Sequence, residues 1–379
     1  MRDRTAVLLR AYRYRLYPTA KQSFAIYEQL AFACQLYNAG LEQRRDAWRR
    51  RNRPITLFEQ FRDLTDVRAA LLGPPNMACE AMRDPLRRLN WAFGGFFRRV
   101  KAGQKPGYPR FRSRRRYSSL TRAKAWTIVG RRVALPGIGH VKVRWHRPRP
   151  ADAELRTVTV RRHARNWYFS FAVEVPKPTG LAPAGESVGL DLGILAFATL
   201  STGERILGPR SFRAARHCLR LAQRRVARRA RGSRRRRKAG QLVARLNERV
   251  RNVRRDWAFK LAKDLVRRFD VIYVESLNLK GLAQSRLARD VQDQAWGAFL
   301  AILTDKAAEA GRSVVPIDAR NTSQVCSACG ATVPKPLRER WHRCTCGYEA
   351  DRDVNAARNL YRLGESRQAR TWPMGACVA

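Results

Sequence analysis

Between Val188 and Leu200 the chain reads VGLDLGILAFATL, an apolar run whose single charged residue is Asp191. A run of this kind constrains the fold more than any other feature, because it demands a core strand and then places a carboxylate inside it. Strand alternation points Val188, Leu190 and Leu192 at a core and Gly189, Asp191 and Gly193 the other way. Two glycines beside one carboxylate leave room for a metal ion and a phosphate, since removing Cβ allows close approach. The plainer alternative is a Gly-rich strand ending in a hydrogen-bonded Asp, and this motif alone does not decide between them.

A second constraint is charge. The 379 residues carry 78 Lys and Arg against 30 Asp and Glu, a net charge of +48 spread through nearly every region, with 45% hydrophobic residues to build cores. A surplus this large and this distributed implies a polyanionic partner, and nucleic acid fits better than a membrane surface, which concentrates charge in one segment. No stretch approaches the ~18 consecutive apolar residues of a membrane span, and the N-terminal MRDRTAVLLRAYRYR lacks a secretory pattern. The expected location is cytoplasmic, with no membrane partner. Cys34, Cys79, Cys218 and Cys377 are scattered, whereas Cys326, Cys329, Cys344 and Cys346 cluster in a way that suits a metal better than disulfides.

Taken in order, Val7–Leu16 reads as a first strand and Thr19 as a helix cap. Helical spacing of apolar residues covers 20–49 and 56–101, interrupted at Gly73-Pro74-Pro75. The aromatics on these helices are expected mainly in a core. Gln104–Arg116 is a Pro/Gly-broken basic loop, with Lys105, Arg110 and Arg112 placed to meet phosphate. Alternating runs at 126–129, 140–145, 155–161 and 167–175 follow, and Trp167, Phe169, Phe171, Val173 and Val175 share a face. With the first strand these predict a small β-barrel or sandwich interrupted by a helical insertion, and Pro176–Ser187 is a linker. Beyond the opening run, 197–204 predicts a hairpin. A long helical pair comes next, with Leu242, Leu246, Val250, Val253, Trp257, Leu261 and Leu265 on one face. Its tip, residues 231–238, carries Arg231, Arg234, Arg235, Arg236, Arg237 and Lys238, which repel one another unless phosphate is present. Asp270–Glu275 is a second apolar strand ending in an acid, followed by a helix around 291–310 and a strand at 314–317. Ala350–Leu360 reads as a helix start with Asp353 as N-cap, and the tail from Gly364 has weak periodicity.

Three acids at the ends of apolar elements, far apart in sequence, are what a two-metal phosphodiesterase needs: hard Mg²⁺ ions prefer carboxylate oxygen, and a pair of them suits in-line displacement at phosphorus. Without metal the acids raise one another's pKa. The spacing Cys326-x-x-Cys329, 14 residues, Cys344-x-Cys346 suits a structural zinc ribbon of four thiolates. Because the second pair is one residue short of the usual spacing, His342 stands as an alternative ligand. A catalytic thiol is not indicated, since no Cys/His/Asn arrangement is evident.

The residues Asp191-Leu192-Gly193, Val274-Glu275-Ser276-Leu277, Cys326-x-x-Cys329-Gly330 and Asp351-Arg352-Asp353-x-Asn355-Ala356-Ala357 occur in an order that resembles the TnpB family, the OrfB-type insertion-sequence proteins related to type V CRISPR effectors. Tyr37-Asn38, Lys105-Pro106-Gly107-Tyr108-Pro109-Arg110-Phe111, Trp296-Gly297 and Thr322-Ser323-Gln324-Val325 extend the resemblance over all but the last 15 or so residues. It implies a mixed α/β and β protein. Residues 1–19 and 116–178 would form a wedge-type β-barrel, with 20–115 a helical recognition insertion. Residues 187–320 and 350–363 would form a RuvC-like nuclease domain of RNase H fold, with a helical insertion at 211–268. A zinc ribbon would occupy 321–349, leaving 364–379 a loose tail. The implied activity is RNA-guided, Mg²⁺-dependent DNA endonuclease cleavage of double-stranded DNA next to a short target-adjacent motif, with a transposon-derived RNA as guide. By motif the catalytic, metal-binding acids are Asp191, Glu275 and Asp353; Asp353 is preferred to Asp351 because it lies two residues before Asn355-Ala356-Ala357. The rival readings are a guided DNA-binding regulator that no longer cuts, a transposase joining strands with the same triad, and an RNA-only binder, which leaves Asp191 and Glu275 unexplained.

Overall fold

A computed structural model describes residues 7–70, 77–122, 126–148, 155–164, 166–176, 178–282, 284, 288–318, 322–336 and 339–371. The chain divides into two compact units, Met1–Lys177 and Pro178–Ala379. The boundary falls in the expected linker. Gly73-Pro74-Pro75 and Cys377 lie outside the described residues.

In the first unit, strand β1 (Val7–Tyr17) leads through Thr19 into helix α1 (Ala20–Arg51). Thr19 accepts from Gln22 N, and the Gln22 side chain accepts from Thr19 N, at 3.2 and 3.1 Å, a capping box that starts the helix where the sequence predicts. Helices α2 (Leu57–Ala70) and α3 (Cys79–Lys101) complete the insertion. Strands β2 (Ser119–Arg122), β3 (Thr127–Val129), β4 (Arg132–Leu135), β5 (Gly139–Arg144), β6 (Leu155–His163) and β7 (Asn166–Pro176) follow. With β1 they form an antiparallel sheet in the order β2-β6-β7-β1-β5-β4-β3. Trp167, Phe169, Phe171, Val173 and Val175 are all buried on the predicted face, packed with Leu30, Leu41 and Leu89 of the helices. Strands β2 and β4 were not anticipated from the alternating runs.

Expectation fails for part of the aromatic set. Tyr37 and Phe93 are buried, but Phe24, Trp48, Phe58 and Phe97 are 64%, 58%, 79% and 60% exposed. The helical period is right and the face is wide, so the rings flanking it are left outside.

The second unit opens with β8 (Ser187–Leu192), β9 (Ala198–Leu200) and β10 (Arg205–Ile206), the predicted hairpin, then α4 (Ser211–Ala227) and α5 (Arg234–Arg268). Strand β11 (Val271–Glu275), helices α6 (Leu279–Leu282), α7 (Ala288–Gln294) and α8 (Trp296–Ala310), and strand β12 (Ser313–Ile317) come next. The small pair β13 (Trp341–Arg343) and β14 (Glu349–Asp351) precedes helix α9 (Arg352–Thr371). The sheet order is β10-β9-β8-β11-β12; β8 pairs antiparallel with β9 and parallel with β11, and β11 pairs parallel with β12. One face carries Val188, Leu190 and Val274 against Ala262, Leu265, Phe299 and Leu303 of α5 and α8. The other is covered by α9, whose Leu360 packs with Tyr273 and Ile317. Strands covered on both faces read as nearly continuous apolar runs, as β8 does.

Several expectations are corrected here. The single helix around 291–310 is two, because Ala295 adopts a left-handed φ of 56°. The tip of the α4–α5 hairpin is shorter than 231–238: Ser233 caps α5 through Arg236 N at 3.1 Å, so Arg234 to Lys238 are helical. The stretch before Ser187 is not a free linker, since Asp270 accepts from Ala184 N and Gly185 N, each at 2.8 Å. Residues 364–371, expected to be loose, continue α9. On α5 the predicted face holds at Val250 and Leu265, which are buried, and Ala258 and Ala262 join it, but Val253 is exposed.

Candidate active site and zinc centre

The parallel ladder between β8 and β11 matches Tyr273 to Gly189 and Val274 to Leu190. Continued by one residue, this register sets Asp191 beside Glu275 on adjacent strands, which run ~4.8 Å apart. Both acids lie on the side of the sheet opposite Leu190 and Val274, the side that α9 covers. The third acid arrives in the first turn of α9: the Asp353 carboxylate comes within 3.9 Å of where a methyl on Gly193 would stand. Asp191 titrates accordingly. Burial first, then the Asp353 and Glu275 carboxylates, push it up to about 8 against the pull of Arg340 and Arg352. Glu275 is also raised, by burial.

Asp351, the alternative third acid, does different work. Its Oδ1 accepts from Asp353 N at 2.8 Å and its Oδ2 lies 3.7 Å from Arg205. Asp351 therefore caps α9, and the N-cap role expected of Asp353 is corrected. Asp353 is instead ion-paired with Arg340.

The two glycines of the opening motif do not serve as expected. A methyl on Gly189 would stand 2.0 Å from the Ala357 carbonyl oxygen and 2.7 Å from Tyr361 N, so the space is filled by the main chain of α9, not left for a ligand. Gly193 faces the Ala196 carbonyl and Asp353.

The four clustered cysteines converge. Their sulfurs all lie within 4.8 Å of one another, with Cys326 to Cys346 at 3.8 Å and Cys329 to Cys344 at 3.6 Å. Tetrahedral zinc with Zn–S bonds of ~2.3 Å requires S···S separations of ~3.8 Å, so the set fits zinc. Each pair sits on a tight turn closed by a left-handed glycine, Gly330 (φ 82°) and Gly347 (φ 85°). Gly330 N donates to Cys326 O at 2.9 Å and Gly347 N to Cys344 O at 3.0 Å, which accommodates the short Cys344-x-Cys346 spacing. The Cys346 N–H and the neighbouring sulfurs draw the Cys344 thiol down to about 7, while the same sulfurs push Cys346 up to about 12, so the cluster shares its protons unequally. His342 is outside the cluster; it is buried on β13, with Nδ1 2.5 Å from Lys335 Nζ.

The knuckles are attached to the acid site through residues whose motifs the sequence shows but whose tying role it does not. Asn355 Nδ2 donates to Val325 O at 2.7 Å, and Asn355 Oδ1 accepts from Ser327 N at 2.9 Å. Asn359, one turn on, donates to Thr322 O at 2.8 Å. Buried Arg352 donates to Pro336 O at 2.8 Å and Ser323 Oγ at 3.1 Å. Their signal was present as polar residues 3, 4 and 7 apart on an otherwise small-residue helix face.

Of the basic residues singled out, Lys105, Arg110, Arg112, Arg231, Arg234, Arg235 and Arg237 are exposed and Arg236 is half-buried. Asn38, part of the quoted Tyr37-Asn38 pair, clamps the basic loop: it donates to Arg112 O at 2.9 Å and accepts from Arg112 N at 2.8 Å. Among the described residues no helix is long and apolar enough to cross a membrane.

Comparison with known proteins agrees with this architecture. The OrfB_IS605 family model, "Probable transposase", matches residues 170–286, and the "Cas12f1-like, TNB domain" model matches 296–360. A model described as "Helix-turn-helix domain" matches 6–53, where the described residues form strand β1 and the single long helix α1. A Streptomyces pristinaespiralis protein named "Putative RNA-guided DNA endonuclease" is 36% identical over 95% of this chain and 90% of its own. The Escherichia coli K12 protein of the same name, InsQ, is 26% identical over 94% and 93%. In fold, the chain is similar to Cas12f1 in a cryo-EM structure of its sgRNA and target DNA complex, with a TM-score of 0.60 at 14% identity over 93% of this chain and 98% of that one. A relative this similar, matched over nearly its whole length, shows the family: the chain belongs to the TnpB-type proteins of the OrfB/IS605 group.

Proposed function

We propose that this protein is an RNA-guided DNA endonuclease that hydrolyses double-stranded DNA beside a short target-adjacent motif, using Asp191, Glu275 and Asp353 to hold two Mg²⁺ ions. The observation that carries the reading is the convergence of these acids from β8, β11 and α9. A buried Asp191 carboxyl whose proton affinity is raised by the neighbouring Asp353 and Glu275 carboxylates makes the cluster suited to a cation. The second unit's sheet, three antiparallel strands continued by two parallel ones, supports the RuvC-like RNase H reading, and the first unit's sheet with its helical insertion supports the wedge and recognition reading.

The acids would bind the metal, whose chemistry when bound is to generate a nucleophile from water and stabilise the leaving oxygen. Arg340 is ion-paired with Asp353. Zinc on the four cysteines would be structural, fixing the knuckles that Asn355, Asn359 and Arg352 tie to α9. The net charge of +48, the exposed arginines and the exposed rings of Phe24, Trp48, Phe58 and Phe97 suit backbone contact and base stacking with a transposon-derived guide RNA and its DNA target. The named endonuclease relatives and the Cas12f1 complex with guide and target support the same partners.

The test is cleavage of a plasmid library bearing a guide-matched target beside randomised flanking sequence, by the protein with its copurifying RNA, with and without Mg²⁺. The match to a family described as a transposase favours a second reading, strand joining, which the same assay separates: hydrolysis leaves free 5′-phosphate ends, and joining leaves none.

A further inference from the structure

Gly189 of β8 and Tyr273 of β11 are direct partners in the parallel ladder and so share the face that α9 covers. Helix α9 answers them in inverted order. Its main chain lies on Gly189 at Ala357 and Tyr361, and its own glycine, Gly364, lies on the ring of Tyr273, where a methyl would stand 2.1 Å from Cδ1. The missing side chain of the strand receives the helix, and the missing side chain of the helix receives the strand's ring. Tyr273 Oη donates to Glu365 Oε1 at 2.9 Å, and the Tyr361 ring meets Tyr273 edge-on with centroids 6.2 Å apart. Residues 353, 357, 361 and 364 recur at steps of four, four and three, so Asp353 belongs to the stripe of α9 that makes these contacts.

We infer that Gly189, Gly364 and Tyr273 are positioning residues for the acid site. Their reciprocal fit sets the height and axial place of α9 on the sheet, and with it the place of Asp353 relative to Asp191 and Glu275. The glycine at 189 acts one turn from Asp353, roughly 6 Å along the helix, and the glycine at 364 acts roughly 16 Å away, where a shift tilts the whole rod. Cβ contacts under 3.0 Å essentially never occur, so a methyl at either glycine displaces helix or ring by about 1 Å. A misplacement of about 1 Å in a catalytic constellation costs roughly 100-fold in rate.

This inference rests on the acid-site reading, and the test separates the two. The full-length protein is purified with its copurifying RNA, the guide portion is replaced, and cleavage of the matching plasmid library is followed across Mg²⁺ concentrations. For Gly364→Ala, the rate at saturating Mg²⁺ should fall roughly 100-fold and the half-saturating Mg²⁺ concentration should rise, with RNA and zinc content unchanged. Adding Tyr273→Leu clears the ring and should recover most of that loss, although the bond to Glu365 is gone. Gly189→Ala, which meets main chain, should show the same loss and no recovery with Tyr273→Leu. A merely structural role lowers the folded fraction and leaves half-saturation unmoved. Wild-type rates and Mg²⁺ dependence in both glycine variants, or loss of rate at unchanged half-saturation, overturn the lock. Should Asp191→Ala cut normally, the acid-site reading and the lock fall together; if it is inactive while the glycine variants are normal, the lock alone fails.

Discussion

At the scale of single residues, the assignment of the third acid is the sharpest claim. Asp353→Ala should reduce cleavage at least ~100-fold with RNA binding unchanged, as should Asp191→Ala and Glu275→Ala, because each would remove a ligand of the proposed Mg²⁺ site. Asp351→Ala removes a helix cap and should cost about 1 kcal/mol of stability, with partial activity kept. Cleavage rates and melting temperatures for the four variants check this, and near-normal cutting by Asp353→Ala with loss in Asp351→Ala contradicts it. A pH effect follows from Asp191. Its carboxyl titrates at about 8 in the folded state, against 3.8 unperturbed, so the folded protein keeps a proton that the unfolded chain has lost. The stability this contributes is present at low pH and is lost as pH rises from roughly 4 to 8. The metal-free protein should accordingly melt lower across that window, and Asp191→Asn should flatten the profile, as thermal unfolding in chelator would show. The positions of Asp191 and Glu275 were legible because an acid in an apolar run is rare. The role of Gly189 was not, because a glycine left open for a ligand and one filled by a helix read the same in sequence.

Among the elements, the cysteine knuckles were legible from spacing, since four sulfurs gathered on two turns suit a metal ion. Their attachment to α9 was hidden: Asn355 and Asn359 look like an ordinary polar helix face until Val325 and Thr322 are brought against them by contacts distant in sequence. Purified protein should hold one zinc per chain, and Cys326→Ser should lower that content and the melting temperature of the second unit, measured by elemental analysis and calorimetry. Helix α5 gives an opposite kind of prediction. It begins with Arg234, Arg235, Arg236 and Arg237 and has no acid in its first turn, against the preference set by the helix dipole. Arg234→Glu should stabilise the free protein by ~0.3–1 kcal/mol. The same change should weaken nucleic-acid binding and lower its salt slope by roughly 1 or more. Denaturant melts and salt titrations of RNA binding read the two effects separately; a destabilised variant with unchanged binding contradicts the account.

For the molecule as a whole, the sequence carried most of the strands, because alternation is a local signal. It did not carry the depth of the helical faces, which is why Phe24 and Trp48 lie outside, nor the docking of residues 184–186 on Asp270, a contact with a residue more than 80 positions away. The central claim is that this strongly cationic chain takes its DNA sequence from a bound RNA. Region 6–53 matches a family model described as a helix-turn-helix, yet its described residues form a strand and one long helix, so sequence choice is better delegated to base pairing. The most direct measurement is to replace the guide portion of the copurifying RNA and map cleavage on DNA that keeps the flanking motif. Mg²⁺-dependent cutting should move to the DNA that matches the new guide. Cutting that stays at the original site, or that is sequence-specific without RNA, would contradict the account.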